Sequence, residues 1–358
     1  MASFGHFNSG PVSLETLARH LGLSKSTVSR ALRNLACIAP ATRHRVQEAA
    51  RQLGYRANPY ISALMLHLQS GRRLSHQGTL ALLDTLPDPQ RWRSIGVHRH
   101  FHEGAEARAA ELGFTLERHW CGRIDRSTPS RLTRILQARG IHGVLIPPLF
   151  DQADSNGHLP IDGECFSCVT LGHRMSQPSF CFALNDQFAT AQTAHVRLRR
   201  LGYDRVGLAI PAHTNAITNN LFQQGFAVAL DEAGRSSVKR AIFIYEESSS
   251  QSQAAFTAWL RSYRPNALLV FNPNLLGWIK AAGKRVPDDL AVGFLDLDWD
   301  LEGLGGMDQN SRLVGAFATE LLVQMVYRNQ TGPAEHPHGM LVEGFWKDGW
   351  TAPARKRV

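Results

Sequence analysis

Val12-Ser-Leu14-Glu-Thr-Leu17-Ala18-Arg-His-Leu21-Gly22-Leu23-Ser24-Lys25-Ser26-Thr27-Val28-Ser29-Arg30-Ala31-Leu32 is the stretch from which the rest of the chain can be read. Leu14, Leu17, Ala18 and Leu21 recur at helical spacing and form one apolar stripe, and Ser13 can cap the helix that carries it. Gly22-Leu23 interrupts the stripe. Ser24 can cap a second helix running from Lys25 to near residue 34, with Val28, Ala31 and Leu32 inward. A break of about three residues that contains glycine is what a helix-turn-helix requires. Further on, Val46, Ala49, Ala50 and Leu53 predict a third helix over 42–53, with Pro40 suited to its first turn and Gly54 to its end.

Charge sets this region apart. Residues 1–75 hold ten Lys and Arg but only two acids, Glu15 and Glu48, whereas the whole 358-residue chain has a net charge of +9. The basic excess is therefore concentrated in a small head, the electrostatic footprint of a polyanion binder. In a helix-turn-helix the N-terminal residues of the second helix meet base edges in the major groove. Here these are Ser24, Lys25, Ser26 and Thr27, followed a turn later by Arg30 and Arg33. Lys and Arg can donate to guanine O6 and N7, and Ser or Thr can contact bases or phosphates.

Past the third helix, Asn58-Pro59 opens a short apolar segment to Leu68, and residues 69–78 read as a linker. From residue 79 the texture changes. Short apolar runs at 79–83, 115–119, 143–146, 168–171, 206–210, 241–244, 267–271 and 291–295 predict strands. Between them, 104–112, 130–139, 188–201, 220–232, 252–261 and 275–282 predict helices. This alternation implies parallel sheets covered on both faces, and eight strands over some 280 residues fit two doubly wound lobes. Ligands of such folds sit at the carboxyl ends of the strands.

Bulk composition agrees with a globular protein: 43% hydrophobic and 19% charged. No apolar run approaches the ~20 residues of a membrane span. The N-terminus lacks a basic region followed by an apolar stretch, so no secretory signal is expected, and five cysteines fit a reducing cytoplasm. His98-Arg-His100-Phe-His102 invites a metal reading, but no further ligands follow at metal-site spacing. Cys165-Phe-Ser-Cys168 has redox spacing, yet it enters a strand instead of opening a helix. Gly303-Leu-Gly305-Gly306 lacks dinucleotide-loop spacing, and no phosphate loop or nucleophile elbow appears. No enzymatic activity, metal or cofactor is expected.

The string opening this section, with Thr42-Arg43 through Gly54-Tyr55-Arg56-Ala57-Asn58, resembles the headpiece of the LacI/GalR family of bacterial transcription regulators. Leu201-Gly202-Tyr203-Asp-Arg205-Val206-Gly-Leu208, Met307-Asp308-Gln309 and Val342-Glu343-Gly344-Phe345-Trp346-Lys347-Asp348-Gly349-Trp350-Thr351 are similar to the family's effector domain. The resemblance implies an all-α helix-turn-helix headpiece over 1–57, a hinge helix and linker over 58–77, and a two-lobed periplasmic-binding-protein-like α/β domain over 78–358. Lobe 1 is expected at about 78–201 and 308–330, and lobe 2 at about 202–307 and 331–358. Lys25, Ser26 and Arg30 would read the major groove. Ser24, Thr27, Ser29, Thr42 and Tyr55 would make phosphate or docking contacts. Asn58 would begin a hinge helix whose Leu64 wedges into the minor groove. Arg33 stands where the family usually has Asn, Ala39-Pro40 replaces a Ser cap, and Ala57 replaces a Pro.

In the effector domain the resemblance places His173, Arg174, Phe222, Asn272, Asp296, Trp299 and Gln309 at or beside the ligand cleft. Amides and carboxylates there could pair with sugar hydroxyls, and Trp299 could stack on a ring. Phe222 falls where many members carry a ligand-gripping Arg, Leu295 where Asp is common, and Pro273 follows Asn272 where Asp is usual. The implied function is a cytoplasmic homodimeric repressor of a metabolic operon, binding a pseudo-palindromic double-stranded DNA operator and gated by a small effector, by default a sugar or sugar derivative. The alternative is a regulator that responds to redox state through Cys165 and Cys168, or to a protein partner.

Overall fold

A computed structural model describes residues 14–32, 38–53, 55, 77–86, 88–121, 129–148, 159–175, 177–232, 238–247, 250–298 and 302–355. The expected hinge and linker over 58–77 lie outside these residues, apart from the last one.

The head is built as its stripes dictate. Helices α1 (Leu14–Leu21), α2 (Lys25–Leu32) and α3 (Pro40–Gln52) close over a small core of Leu17, Ala18, Val28, Ala31, Val46, Ala49 and Ala50. Gly22 turns the chain at φ +63°, a conformation that costs a residue with a Cβ. Ser24 then accepts a hydrogen bond from the Thr27 amide at 3.1 Å, satisfying a free N–H at the start of α2. The Arg45 guanidinium on α3 donates to the Leu21 carbonyl at 2.6 Å, closing the end of α1. As the sequence suggests, α3 starts at Pro40 with no side-chain cap from Ala39.

The remainder forms two six-stranded sheets. Lobe 1 begins with β1 (Gly78–Asp84), α4 (Gly96–Glu111), β2 (Phe114–Trp120), α5 (Pro129–Ala138), β3 (Gly143–Ile146), β4 (Ser167–Leu171) and β5 (Cys181–Asn185). Lobe 2 follows with α6 (Gln187–Arg200), β6 (Val206–Pro211), α7 (Ala212–Ile217), α8 (Leu221–Glu232), α9 (Val238–Ala241), β7 (Ile242–Tyr245), α10 (Ser250–Tyr263), β8 (Ala267–Val270), α11 (Leu275–Ala281), β9 (Ala291–Phe294) and β10 (Gly306–Asp308). The chain then returns to lobe 1 for α12 (Ser311–Tyr327) and β11 (Gly339–Val342), and ends in lobe 2 with β12 (Phe345–Lys347). Strand order is β11-β5-β4-β3-β1-β2 in lobe 1 and β12-β10-β9-β8-β6-β7 in lobe 2. Every pairing is parallel except β10 with β12.

All eight strands expected from the apolar runs are present. The crossovers, however, lie elsewhere than the sequence placed them. Helix α6, expected in lobe 1, packs on α8 and belongs to lobe 2. Segment 331–342, expected in lobe 2, instead adds β11 to the edge of lobe 1 beside β5. The physical reason is the apolar face of α6: Ala191, Ala194 and Leu198 share a core with Phe222, Phe226 and Leu269. One residue ties the three crossovers together. Asn185 donates to the Val342 carbonyl at 3.0 Å and to the Gln309 carbonyl at 3.4 Å, and accepts from the Thr190 hydroxyl at 2.8 Å.

Candidate DNA-reading head and effector cleft

Lys25 is the first residue of α2, and with Thr27 and Arg30 it leaves the small core free. Ser24 and Thr27 are partly engaged with each other, their hydroxyls 2.8 Å apart. The Lys25 ammonium donates to the Glu15 carboxylate at 2.8 Å. Thr42 lies in the first turn of α3, and Tyr55 packs against the head's core. Arg33, Asn58, Leu64 and the side chains of Ser26 and Ser29 fall outside the described residues. The structure thus brings Ser24, Lys25 and Thr27 together at the turn and leaves Arg30 on the exposed side of α2.

In the second domain, buried polar residues gather at the carboxyl ends of strands. Asn272 follows β8 and donates to Glu247 at 2.5 Å, while its carbonyl caps the Asn274 amide. Asp296 follows β9, is 4% exposed, and accepts from the Asp298 amide at 2.8 Å. Burial, with Asp298 and Asp308 nearby, pushes its carboxyl up to about 8, which favours the protonated form that can donate a hydrogen bond. Gln309 donates to the Leu295 carbonyl at 2.8 Å. On lobe 1, His173 follows β4; its Nδ1–H donates to the Leu171 carbonyl at 3.0 Å. Burial holds His173 below the usual histidine range. His98 is driven down to about 4, first by burial and then by His173. Arg174 is exposed and stacks over Phe182.

Phe222, expected beside the ligand, is fully buried and packs with Phe271 in the core of lobe 2, ring centroids 5.8 Å apart. It replaces a polar grip with apolar packing and offers a ligand no hydrogen bond. Trp299 is outside the described residues.

Contacts across the lobes involve residues that sequence reasoning did not assign to the cleft. The Asp298 carboxylate of lobe 2 accepts from His100 Nδ1 at 2.7 Å and from the Ser311 hydroxyl, both on lobe 1 helices. Gly96, at the start of α4, lies so close to the Asp298 carbonyl that a methyl group would overlap it. His100 belongs to the His98–His102 string, which the sequence offered as a metal candidate that lacked further ligands, so the signal was present but its partner Asp298 was not legible. Among the described residues no group of three or more His, Cys, Asp or Glu is placed to hold a metal ion. Nearby, Asp84 pairs with Arg118 beneath Trp92, whose ring lies tilted against that of His102 with centroids 4.8 Å apart.

The model of the bacterial regulatory proteins of the lacI family matches residues 13–58, and that of the periplasmic binding protein-like domain matches residues 196–344. The head thus matches the lacI family of bacterial regulatory proteins, and the second domain matches the periplasmic binding protein-like domain. The headpiece is similar to that of the HTH-type transcriptional regulator GntR of Pseudomonas aeruginosa, 47% identical over 55 residues, 15% of this chain and 16% of that protein. Two solved structures share the fold of this chain. The transcriptional regulator CelR–cellobiose complex matches with a TM-score of 0.59 at 21% identity, covering 95% of this chain and 99% of that one. The lac repressor dimer bound to operator and the anti-inducer ONPF matches with a TM-score of 0.55 at 19% identity, covering 96% and 100%. Among the described residues no helix is long and apolar enough to cross a membrane.

Proposed function

We propose that this protein is a sequence-specific repressor of the LacI family that acts in the cytoplasm as a homodimer. Two heads read a pseudo-palindromic operator, and a sugar or sugar derivative bound between the lobes sets the arrangement of the heads. The observation that carries the reading is the set of buried amides and acids, Asn272, Asp296 and Gln309, at strand ends where two lobes are joined by three crossovers. Buried polar groups of this kind match hydroxyl-rich ligands, and a relative of the same fold holds cellobiose. A ligand that binds one lobe arrangement better shifts the population toward it, and DNA affinity shifts in step.

Ser24, Lys25, Ser26, Thr27, Ser29, Arg30, Arg33, Thr42 and Tyr55 are proposed as the head's DNA contacts, with Asn58 and Leu64 serving the hinge. His173 and Arg174 are proposed for the cleft from lobe 1, and Trp299 is kept as a proposed stacking residue from the sequence alone. Phe222 is withdrawn from the effector set because it is core. The redox alternative has little support: Cys168 is buried within β4, where burial raises its thiol far above the usual range and disfavours the reactive thiolate.

Genomic DNA capture with the full-length protein, with and without a panel of neutral sugars, tests the reading. Recovery of a short palindrome, lost on addition of one sugar and much weakened by Leu64→Ala, is the expected result. Binding that is unspecific and indifferent to Leu64 overturns it.

A further inference from the structure

Lys25 occupies the base-reading end of α2, yet its ammonium is not free. It donates to Oε2 of Glu15 at 2.8 Å, across from the first turn of α1. Arg19 approaches the other oxygen of the same carboxylate at 3.7 Å. Both partners of the Lys25–Glu15 pair are more than half exposed, 59% and 56%. The head's core is made of other, apolar residues, so the fold does not need this pair, and an exposed ion pair adds little stability. Glu15 is one of only two acids in residues 1–75.

An acid at this place works against DNA affinity in general, because it repels phosphate. Its presence beside a reading position therefore calls for a gain elsewhere. We propose that Glu15 is a specificity-determining residue of the DNA-reading head, holding the Lys25 ammonium toward base edges and away from phosphates. A free lysine is a flexible, strongly hydrated point charge that settles on the nearest phosphate, a contact carrying no sequence information. Tethered to Glu15, the ammonium keeps two N–H donors for acceptors such as guanine O6 and N7. Part of its charge is already neutralised, so wrong sequences lose more than the right one. The Lys25 hydrogen bond also holds the Glu15 carboxyl below its usual range, so the pair stays ionised at neutral pH. The inference rests on the operator-reading function proposed above.

The test uses full-length wild type, Glu15→Gln, Lys25→Met and the double variant. Each is taken through selection from random duplexes, then titrated against the wild-type winner and a scrambled duplex at several salt concentrations. Glu15→Gln should bind the scrambled duplex about five- to tenfold more tightly, with a salt slope steeper by about one, while affinity for the winner changes less than about twofold. Discrimination then falls about fivefold, and the base preference flattens only at the positions that Lys25 faces. In the Lys25→Met background, Glu15→Gln should leave discrimination unchanged. Equal weakening on both duplexes with a lowered melting temperature means the pair is structural and overturns the proposal, as does an unaltered salt slope or the same loss of discrimination without Lys25. If wild type enriches no sequence at all, the operator-reading function falls first and takes this inference with it. A motif enriched by wild type and left unchanged by Glu15→Gln removes the inference alone.

Discussion

At the scale of single residues, two buried titratable groups near the lobe junction oppose each other in pH. Asp296 has its folded-state value raised from 3.8 to about 8. Between those values the folded protein holds a proton that the unfolded chain has lost, so this residue's contribution to stability falls as pH rises from about 4 to about 8. His98 is lowered from 6.5 to about 4, so its contribution is full above 6.5 and is lost as pH falls toward 4. Asp296→Asn, which keeps the shape of the protonated acid, should remove the alkaline loss. In denaturant unfolding it should gain on wild type as pH rises to 8, by no more than about 1.4 kcal/mol per pH unit, and the gap should stop growing above 8. A pH-independent difference would show that Asp296 is ionised throughout. The identity of such residues was legible in part. Asn272, Asp296 and Gln309 were expected at the cleft because the resemblance places them there, and all three are buried just after apolar strands. Phe222 was misplaced because homology of position says nothing of chemistry: an aromatic set where an arginine is usual simply joins the core. Glu247 was missed because its partner Asn272 lies 25 residues away.

At the scale of elements, the strands of the sheet centres were legible because strands buried on both faces read as unbroken apolar runs. The strands that escaped were β5, which no run had flagged, and the three- and four-residue β10, β11 and β12, too short to show a period. Helix α12 escaped for the opposite reason. It is long and apolar, but it lies between α4 and the lobe 1 sheet, with buried residues over most of its circumference, so it shows no amphipathic stripe. Its packing depends on two glycines that admit the neighbouring backbone. A methyl on Gly104 of α4 would overlap the Arg312 carbonyl, and one on Gly315 of α12 would overlap the Phe101 carbonyl. Backbone cannot yield as a flexible side chain does, so Gly315→Ala should destabilise lobe 1 by about 1–3 kcal/mol through overpacking, despite alanine's higher helix propensity. Calorimetry should show the effector domain melting earlier and the head unchanged. A stabilised variant would mean that the two helices can part without cost.

At the scale of the whole molecule, the sequence revealed that there are two lobes but not where they exchange chain. A crossover is a change of packing partner, and α6 carries the same apolar spacing whichever lobe it serves. The same blindness hid the clasp between lobes, since His100, Asp298 and Ser311 come from three distant segments. That clasp leads to a global prediction. Asp298 is the single acceptor for two donors on lobe 1, so Asp298→Ala removes both bonds and leaves the buried Ser311 hydroxyl unpaired, while the three crossovers still join the lobes. The closed arrangement should lose population, and any ligand that needs both lobes should bind more weakly by about the same factor, roughly tenfold for a loss of 1.4 kcal/mol. Gly96→Ala reaches the same end by another route, because its methyl pushes against the Asp298 carbonyl instead of deleting a bond. Small-angle X-ray scattering of both variants should give a larger radius of gyration than wild type, and the two substitutions combined should add little, since each opens the same contact. If scattering is unchanged in both while effector affinity falls only for Asp298→Ala, the carboxylate contacts the ligand directly and the angle between the lobes is set by the crossovers around Asn185 instead.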